Sequence, residues 1–110
     1  MSNTLPATPR IRIPAQARAG ETIEIGVLIQ HPMDTGLTHA DGTTPPRDMI
    51  ARLELRRDGA LLFAAELGNG TAANPYHVVH VRMERSATFT ATWTDEHGRA
   101  AMAEARVLVA

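Results

Sequence analysis

The chain predicts an all-β, immunoglobulin-like β-sandwich of about seven strands, on three observations. Apolar residues alternate with polar ones in segment after segment, glycine-containing turns separate the segments at regular spacing, and no stretch carries a convincing helical period. With 110 residues, 44% hydrophobic and 21% charged, the chain has the size and composition of one domain that can bury a core. Residues 1–9 read as a flexible tail and 10–110 as the domain.

The elements follow in order. "IRIP" alternates briefly and stops at Pro14. "ETIEIGVLIQ" sets Ile23, Ile25, Val27 and Ile29 on one face against Thr22, Glu24, Gly26 and Leu28 on the other, the period of a half-buried strand. The polar, proline-rich segment His31 to Asp48 comes next. "IARLELRRDGALLFAAEL" then reads as a hairpin around Asp58-Gly59. A two-residue loop would place Phe63 opposite Glu54 and mix the faces. A three-residue loop, Arg57-Asp58-Gly59, pairs Leu55 with Leu61, Leu53 with Phe63 and Ala51 with Ala65, and is the expected register.

"HVVHVRME" alternates Val79, Val81 and Met83 against His80, Arg82 and Glu84. "ATFTATWTD" alternates Phe89, Ala91 and Trp93 against Thr88, Thr90, Thr92 and Thr94. A three-residue loop, Glu96-His97-Gly98, sets Trp93 opposite Ala101, Ala91 opposite Ala103 and Phe89 opposite Ala105, large against small. Alanine-rich "AAMAEARVLVA" has helical propensity, but the hairpin turn before it and the alternation into Val107 and Val109 favour a strand. The expected core is Trp93, Phe89, Val79, Val81, Leu53, Leu55, Phe63, Ile25 and Val27.

Charge and composition narrow the function. Eleven basic against twelve acidic side chains give a net charge of -1, and no Lys/Arg run marks a nucleic-acid surface. No apolar run approaches the ~20 residues that span a bilayer. "MSNTLPATPRIRIP" has no apolar core of the signal-peptide kind. Zero cysteines excludes disulfides, a thiol nucleophile and thiolate metal sites.

Candidate chemistry is sparse. His77 and His80 lie three apart on a strand, hence on opposite faces, and cannot share an ion. His31, Met33 and His39 share the long polar segment and could together meet a copper ion, which takes imidazole and thioether ligands, but no ligand spacing motif supports it. Ser2 and Ser86 sit in no nucleophile elbow, the threonine stripe reads as a solvated strand face, and Asp95 and Glu96 are turn-formers by position. The G-x-G of "LGNGTAANPY" does not lead from a strand into a helix. No catalytic residue, cofactor site or metal site emerges. What stands out is the long segment stiffened by Pro32, Pro45 and Pro46, and Tyr76, the single tyrosine, following the turn initiator Asn74-Pro75. Physical reading alone reaches a β-sandwich binding or scaffold module.

Four stretches, "HPMDTG" at 31–36, "PRDMI" at 46–50, "NPYHVVHV" at 74–81 and "TFTATWTDEHG" at 88–98, fall in an order and spacing that resembles the SoxZ family. The resemblance runs from about Pro9 to Val109. This family is the small subunit of the SoxYZ sulfur-carrier complex of bacterial thiosulfate oxidation. The resemblance implies a non-catalytic immunoglobulin-like subunit that pairs with a SoxY subunit, whose C-terminal arm carries sulfur on a cysteine. Other sulfur-oxidation enzymes visit that arm. It also implies work in the periplasm after export with the partner; without the resemblance, a cytoplasmic location would be the default.

The expected partner contacts are His31, Pro32, Met33, Thr35, Gly36, Asn74, Pro75 and Tyr76, with no nucleic acid and no membrane involved. The isolated chain is expected to pair with itself through the surface its partner would cover. The alternative is a stand-alone ligand- or copper-binding module using His31, Met33 and His39.

Overall fold

The computed structural model describes residues 8–30, 42, 49–67 and 76–110. They form β1 (Thr8–Arg12), β2 (Gln16–Ala17), β3 (Glu21–Gln30), β4 (Ile50–Arg57), β5 (Ala60–Glu66), β6 (Tyr76–Met83), β7 (Ala87–Asp95) and β8 (Ala100–Val109). No helix occurs among the described residues. Two sheets face each other, one ordered β1-β3-β6 and the other β2-β8-β7-β4-β5. The chain is an all-β sandwich, as its alternation predicts.

β1 runs antiparallel to β3, with Thr8 opposite Gln30 and Pro9 opposite Ile29. Thr8 and Pro9, the last residues of the expected tail, are therefore strand. Proline is tolerated there because β1 is a sheet edge. At Ile13–Ala15 the chain changes sheets, and β2 runs parallel to the end of β8, Gln16 opposite Leu108. Pro14, which cannot donate a ladder hydrogen bond, sits at that crossing.

Between the sheets lies one apolar cluster. Ile25, Val27 and Ile29 from β3 meet Leu53 and Leu55 from β4 and Phe89, Ala91 and Trp93 from β7, all at 0% exposure. Val79, Val81 and Phe63 are half-buried and pack against it. The expected core is present, with its β5 and β6 members at the margin because those strands are sheet edges. Leu53 stands opposite Trp93 across β4 and β7.

The β7–β8 hairpin follows the expected register: Trp93 faces Ala101, Ala91 faces Ala103 and Phe89 faces Ala105. Asp95 closes its turn and is more than a turn-former. Its carboxylate is 3% exposed as a residue, accepts the amides of His97 and Arg99 at 2.9 and 2.8 Å, and pairs with Arg99 Nε at 2.6 Å. Burial pushes the Asp95 carboxyl up. The bonds from Arg99 and His97 outweigh it and hold the group below its usual range.

The β4–β5 hairpin corrects the expected register. Arg57 pairs with Ala60, Arg56 with Leu61 and Leu55 with Phe63, so the loop has two residues and Leu62 is the extra residue of a β-bulge. Asp58 (φ 49°) and Gly59 (φ 88°) both take left-handed backbone, the requirement of a type I′ turn. A two-residue loop alone would have mixed the faces. The bulge resets the alternation and returns Phe63 to the core side, leaving Leu61 and Leu62 exposed.

Candidate partner-binding surface

The described strand ends that flank the segments of interest share one pole of the sandwich. β2 pairs with the end of β8, and β3 starts directly after β2, so the start of β3 lies at the pole where β8 ends. The opposite pole then holds the end of β3, the start of β8, the end of β7 and the start of β4. Tyr76 opens β6 opposite Leu28 at this same pole. The chain thus leaves the described strands at Gln30 and Leu67, and re-enters at Met49 and Tyr76, all at one end of the sandwich.

Of the expected contacts, Tyr76 is described. His31, Pro32, Met33, Thr35, Gly36, Asn74 and Pro75 lie outside the described residues, as does His39 of the copper alternative. Tyr76 lies on the outside of the sandwich. Its ring lies on the outer face of the three-stranded sheet, across β3, directly over Gly26. A Cβ built on Gly26 would stand 2.9 Å from Tyr76 Cζ and closer still to its hydroxyl. Glycine is needed at position 26 for this approach, and the aromatic ring in turn covers the strand backbone there.

Tyr76 remains 49% exposed and Val78, two residues along the same face, 42%. Across the strand pair, Leu28 faces Tyr76 and Gly26 faces Val78. Leu28 is half-buried. The result is a short apolar strip on a sheet face with no second layer over it among the described residues. Charge borders it on both sides. Arg10 and Arg12 of β1 stand opposite Leu28 and Gly26. Beyond Val78, Glu24 Oε1 lies 3.5 Å from His80 Nε2. An apolar centre with a charged rim is the anatomy of a protein contact surface.

Sequence reasoning found Tyr76 but missed Gly26, Leu28 and Val78. Their signal was present: two apolar residues and a glycine occupy the solvent side of strands whose other outward positions, Tyr76 apart, are Thr22, Glu24, Gln30, His80 and Arg82. Among the described residues, no three His, Asp or Glu side chains gather where a metal ion could be held. His77 and His80 fall on opposite faces of β6. His77 turns inward, its ring centroid 6.1 Å from that of Phe63, and its Nδ1 is buried without a hydrogen bond.

The family described as Sulphur oxidation protein SoxZ matches residues 11–106. The chain belongs to the SoxZ family. No curated protein matches it in sequence. Its architecture is similar to that of several solved structures. A superoxide reductase (neelaredoxin) from Ignicoccus hospitalis aligns with a TM-score of 0.71 at 19% identity, over 94% of this chain and 80% of that one. The sulfur carrier protein SoxY from Chlorobium limicola f thiosulfatophilum aligns with a TM-score of 0.67 at 13% identity, over 93% and 78%. The CARDB domain of a Pyrococcus furiosus protein, in complex with di-metal ions, aligns at 0.64 and 13% identity, over 99% and 96%. At these identities the likeness is one of fold. Membership of the SoxZ family assigns this chain a role in sulfur oxidation.

Proposed function

We propose that this SoxZ-family chain is a non-catalytic subunit that binds and positions a cysteine-bearing, SoxY-type partner during thiosulfate oxidation, and that it docks through the Tyr76 strip. The single observation that carries the docking site is the seat of Tyr76 on Gly26. It holds an aromatic side chain half-exposed and beside Leu28 and Val78, on the outer face of a sheet. Aromatic anchors of limited freedom dominate binding energy at interfaces.

The SoxY of Chlorobium limicola shares this fold, so the proposed pair joins two like sandwiches. The described chain breaks off at Gln30 and Leu67 and resumes at Met49 and Tyr76 at the pole beside the strip, and the further expected contacts fall in sequence between those ends. With no cysteine, the chain has no thiol on which to carry sulfur. Its part is positional, and the complex works in the periplasm, exported with the partner.

The test is to co-express the chain with a SoxY-type subunit and measure affinity and sulfur loading separately. Tyr76→Ala weakens the complex by about 2 kcal/mol, some thirtyfold, without altering the reactivity of the partner's thiol. Intact-mass analysis after exposure to thiosulfate places every adduct on the partner. Sulfur on this chain, or wild-type affinity in Tyr76→Ala, overturns the reading. The isolated chain associates with itself through the same strip, visible as a concentration-dependent sedimentation coefficient that Tyr76→Ala lowers.

A further inference from the structure

Arg57 is placed unlike the other arginines of β4. Leu53, Leu55 and Arg57 share the inward side of the strand, and Arg57 stands opposite Phe89, which is fully buried. Its guanidinium therefore leaves the strand from the core side, at the pole opposite Tyr76. Arg52 and Arg56 point to the solvent side and are neutralised there by Glu54, with Glu66 also on Arg52. Arg57 has no carboxylate partner among the described residues. Its neighbour Asp58 is engaged elsewhere, accepting the Thr88 amide at 2.9 Å.

Two cavities meet at this side chain. One, of about 300 Å³, is lined by Arg57, Arg82, Arg85, Glu84 and Ala87. Three guanidinium groups face one carboxylate there, and that carboxylate is held by Arg82 at 2.7 Å. The other, of about 480 Å³, opens along the flank between the edges of β5 and β6. Leu62, Phe63, Val79 and Val81 give it an apolar wall, with Arg57, Arg82 and His80 around it. The bulge in β5 builds part of this wall by turning Leu62 out of the ladder.

A half-buried arginine with no carboxylate paired to it among the described residues, between a cationic cavity and an apolar one, describes a ligand with two unlike ends. Guanidinium groups bind planar or tetrahedral oxyanions through paired N–H donors. The apolar wall favours a short, weakly hydrated tail. We propose that the Arg57 end of the β5–β6 flank binds a small amphipathic oxyanion, its charged head on Arg57 and Arg85 and a short apolar tail against Leu62, Phe63 and Val79. The site lies at the other pole from the Tyr76 strip and holds whether or not that strip binds a partner.

The test titrates the full, isolated chain with sulfate, thiosulfate and butane-1-sulfonate at constant ionic strength, following backbone and arginine side-chain NMR signals. Constant ionic strength removes general screening from the comparison. The expected result is saturable shifts centred on Arg57, Phe63 and Ala87, with butane-1-sulfonate at least threefold tighter than sulfate. Arg57→Gln, checked for an unchanged far-UV spectrum, weakens binding at least tenfold. Arg57→Lys keeps part of it, and Arg10→Gln on the other sheet leaves it within twofold. The proposal is overturned if chloride reproduces the shifts, if sulfate and butane-1-sulfonate bind alike, or if Arg57→Gln binds within twofold of wild type. It is equally overturned if Arg57→Gln weakens only the complex with a SoxY-type partner, which would make the occupant an acidic side chain of that protein.

Discussion

On the five-stranded sheet, the solvent side of β4 and β7 sets Arg52, Glu54 and Arg56 against Thr94, Thr92 and Thr90. On the three-stranded sheet, the solvent side of β3 and β6 sets Gly26 and Leu28 against Val78 and Tyr76. Both faces come from strands of the same period, and both back onto the same apolar core. The first face is saturated with its own partners. Arg52 Nε and Arg56 bind Glu54 at 2.9 and 2.6 Å, and hydrogen bonds from Arg52 and then Arg56 hold the Glu54 carboxyl below its usual range. Met102 and Leu108 are exposed on β8, but Glu104 and Arg106 separate them. The second face leaves its apolar groups together and open. A sheet face whose charges are satisfied within the chain presents little to a partner, while a contiguous apolar strip gains by being covered.

Substitutions can break or sharpen this contrast. The largest effect comes from the core that both faces share. Trp93→Ala removes the biggest fully buried side chain and costs about 3–5 kcal/mol, measurable as a lower midpoint in urea unfolding. Next is Asp95→Ala at the β7–β8 turn, which strips partners from the buried carboxylate network and costs about 2–3 kcal/mol. This residue also sets a pH dependence. Its folded pKa lies below the unfolded value, so its stabilisation is full above about pH 4 and is lost as pH falls through the folded value. Denaturation midpoints measured from pH 6 downward should drop in wild type and drop less in Asp95→Asn.

On the contrasted faces the effects are smaller and differ in kind. Gly26→Ala forces the Tyr76 ring off the strand. It should change stability by less than about 1 kcal/mol, since alanine's better fit to a strand offsets the lost ring contact, and reduce partner affinity as much as Tyr76→Ala does. The smallest effect belongs to Glu54→Gln, which is expected to leave partner affinity unchanged in a binding titration. A loss there equal to that of Tyr76→Ala would place the docking surface on the wrong sheet.

Much of the fold is legible in the residues because alternation is a local signal. Ile23, Ile25, Val27 and Ile29 announce their buried side without reference to any other strand. Trp93, Ala91 and Phe89 find their alanine partners because a three-residue turn joins the two strands. Less of the candidate site could be read. Tyr76 stood out as a lone tyrosine after Asn74-Pro75, but its seat on Gly26 joins residues fifty positions apart in sequence. The β4–β5 register escaped for a related reason. Two-residue and three-residue loops were both compatible with Asp58-Gly59, and the bulge at Leu62 that reconciles the short turn with a buried Phe63 shows only in the pairing.

The sequence by itself determined an all-β chain, the buried side of nearly every strand, the β7–β8 hairpin and the absence of a thiol, because side-chain period, turn chemistry and composition are properties of neighbouring residues. Only the tertiary structure decided which strands share a sheet, that β1 and β2 divide between the two sheets at Pro14, that Tyr76 lies outside rather than between the sheets, and that Arg57 faces inward. Each of these depends on pairing between residues distant in the chain, and their energy lies in contacts that exist only once both sheets have closed over the core.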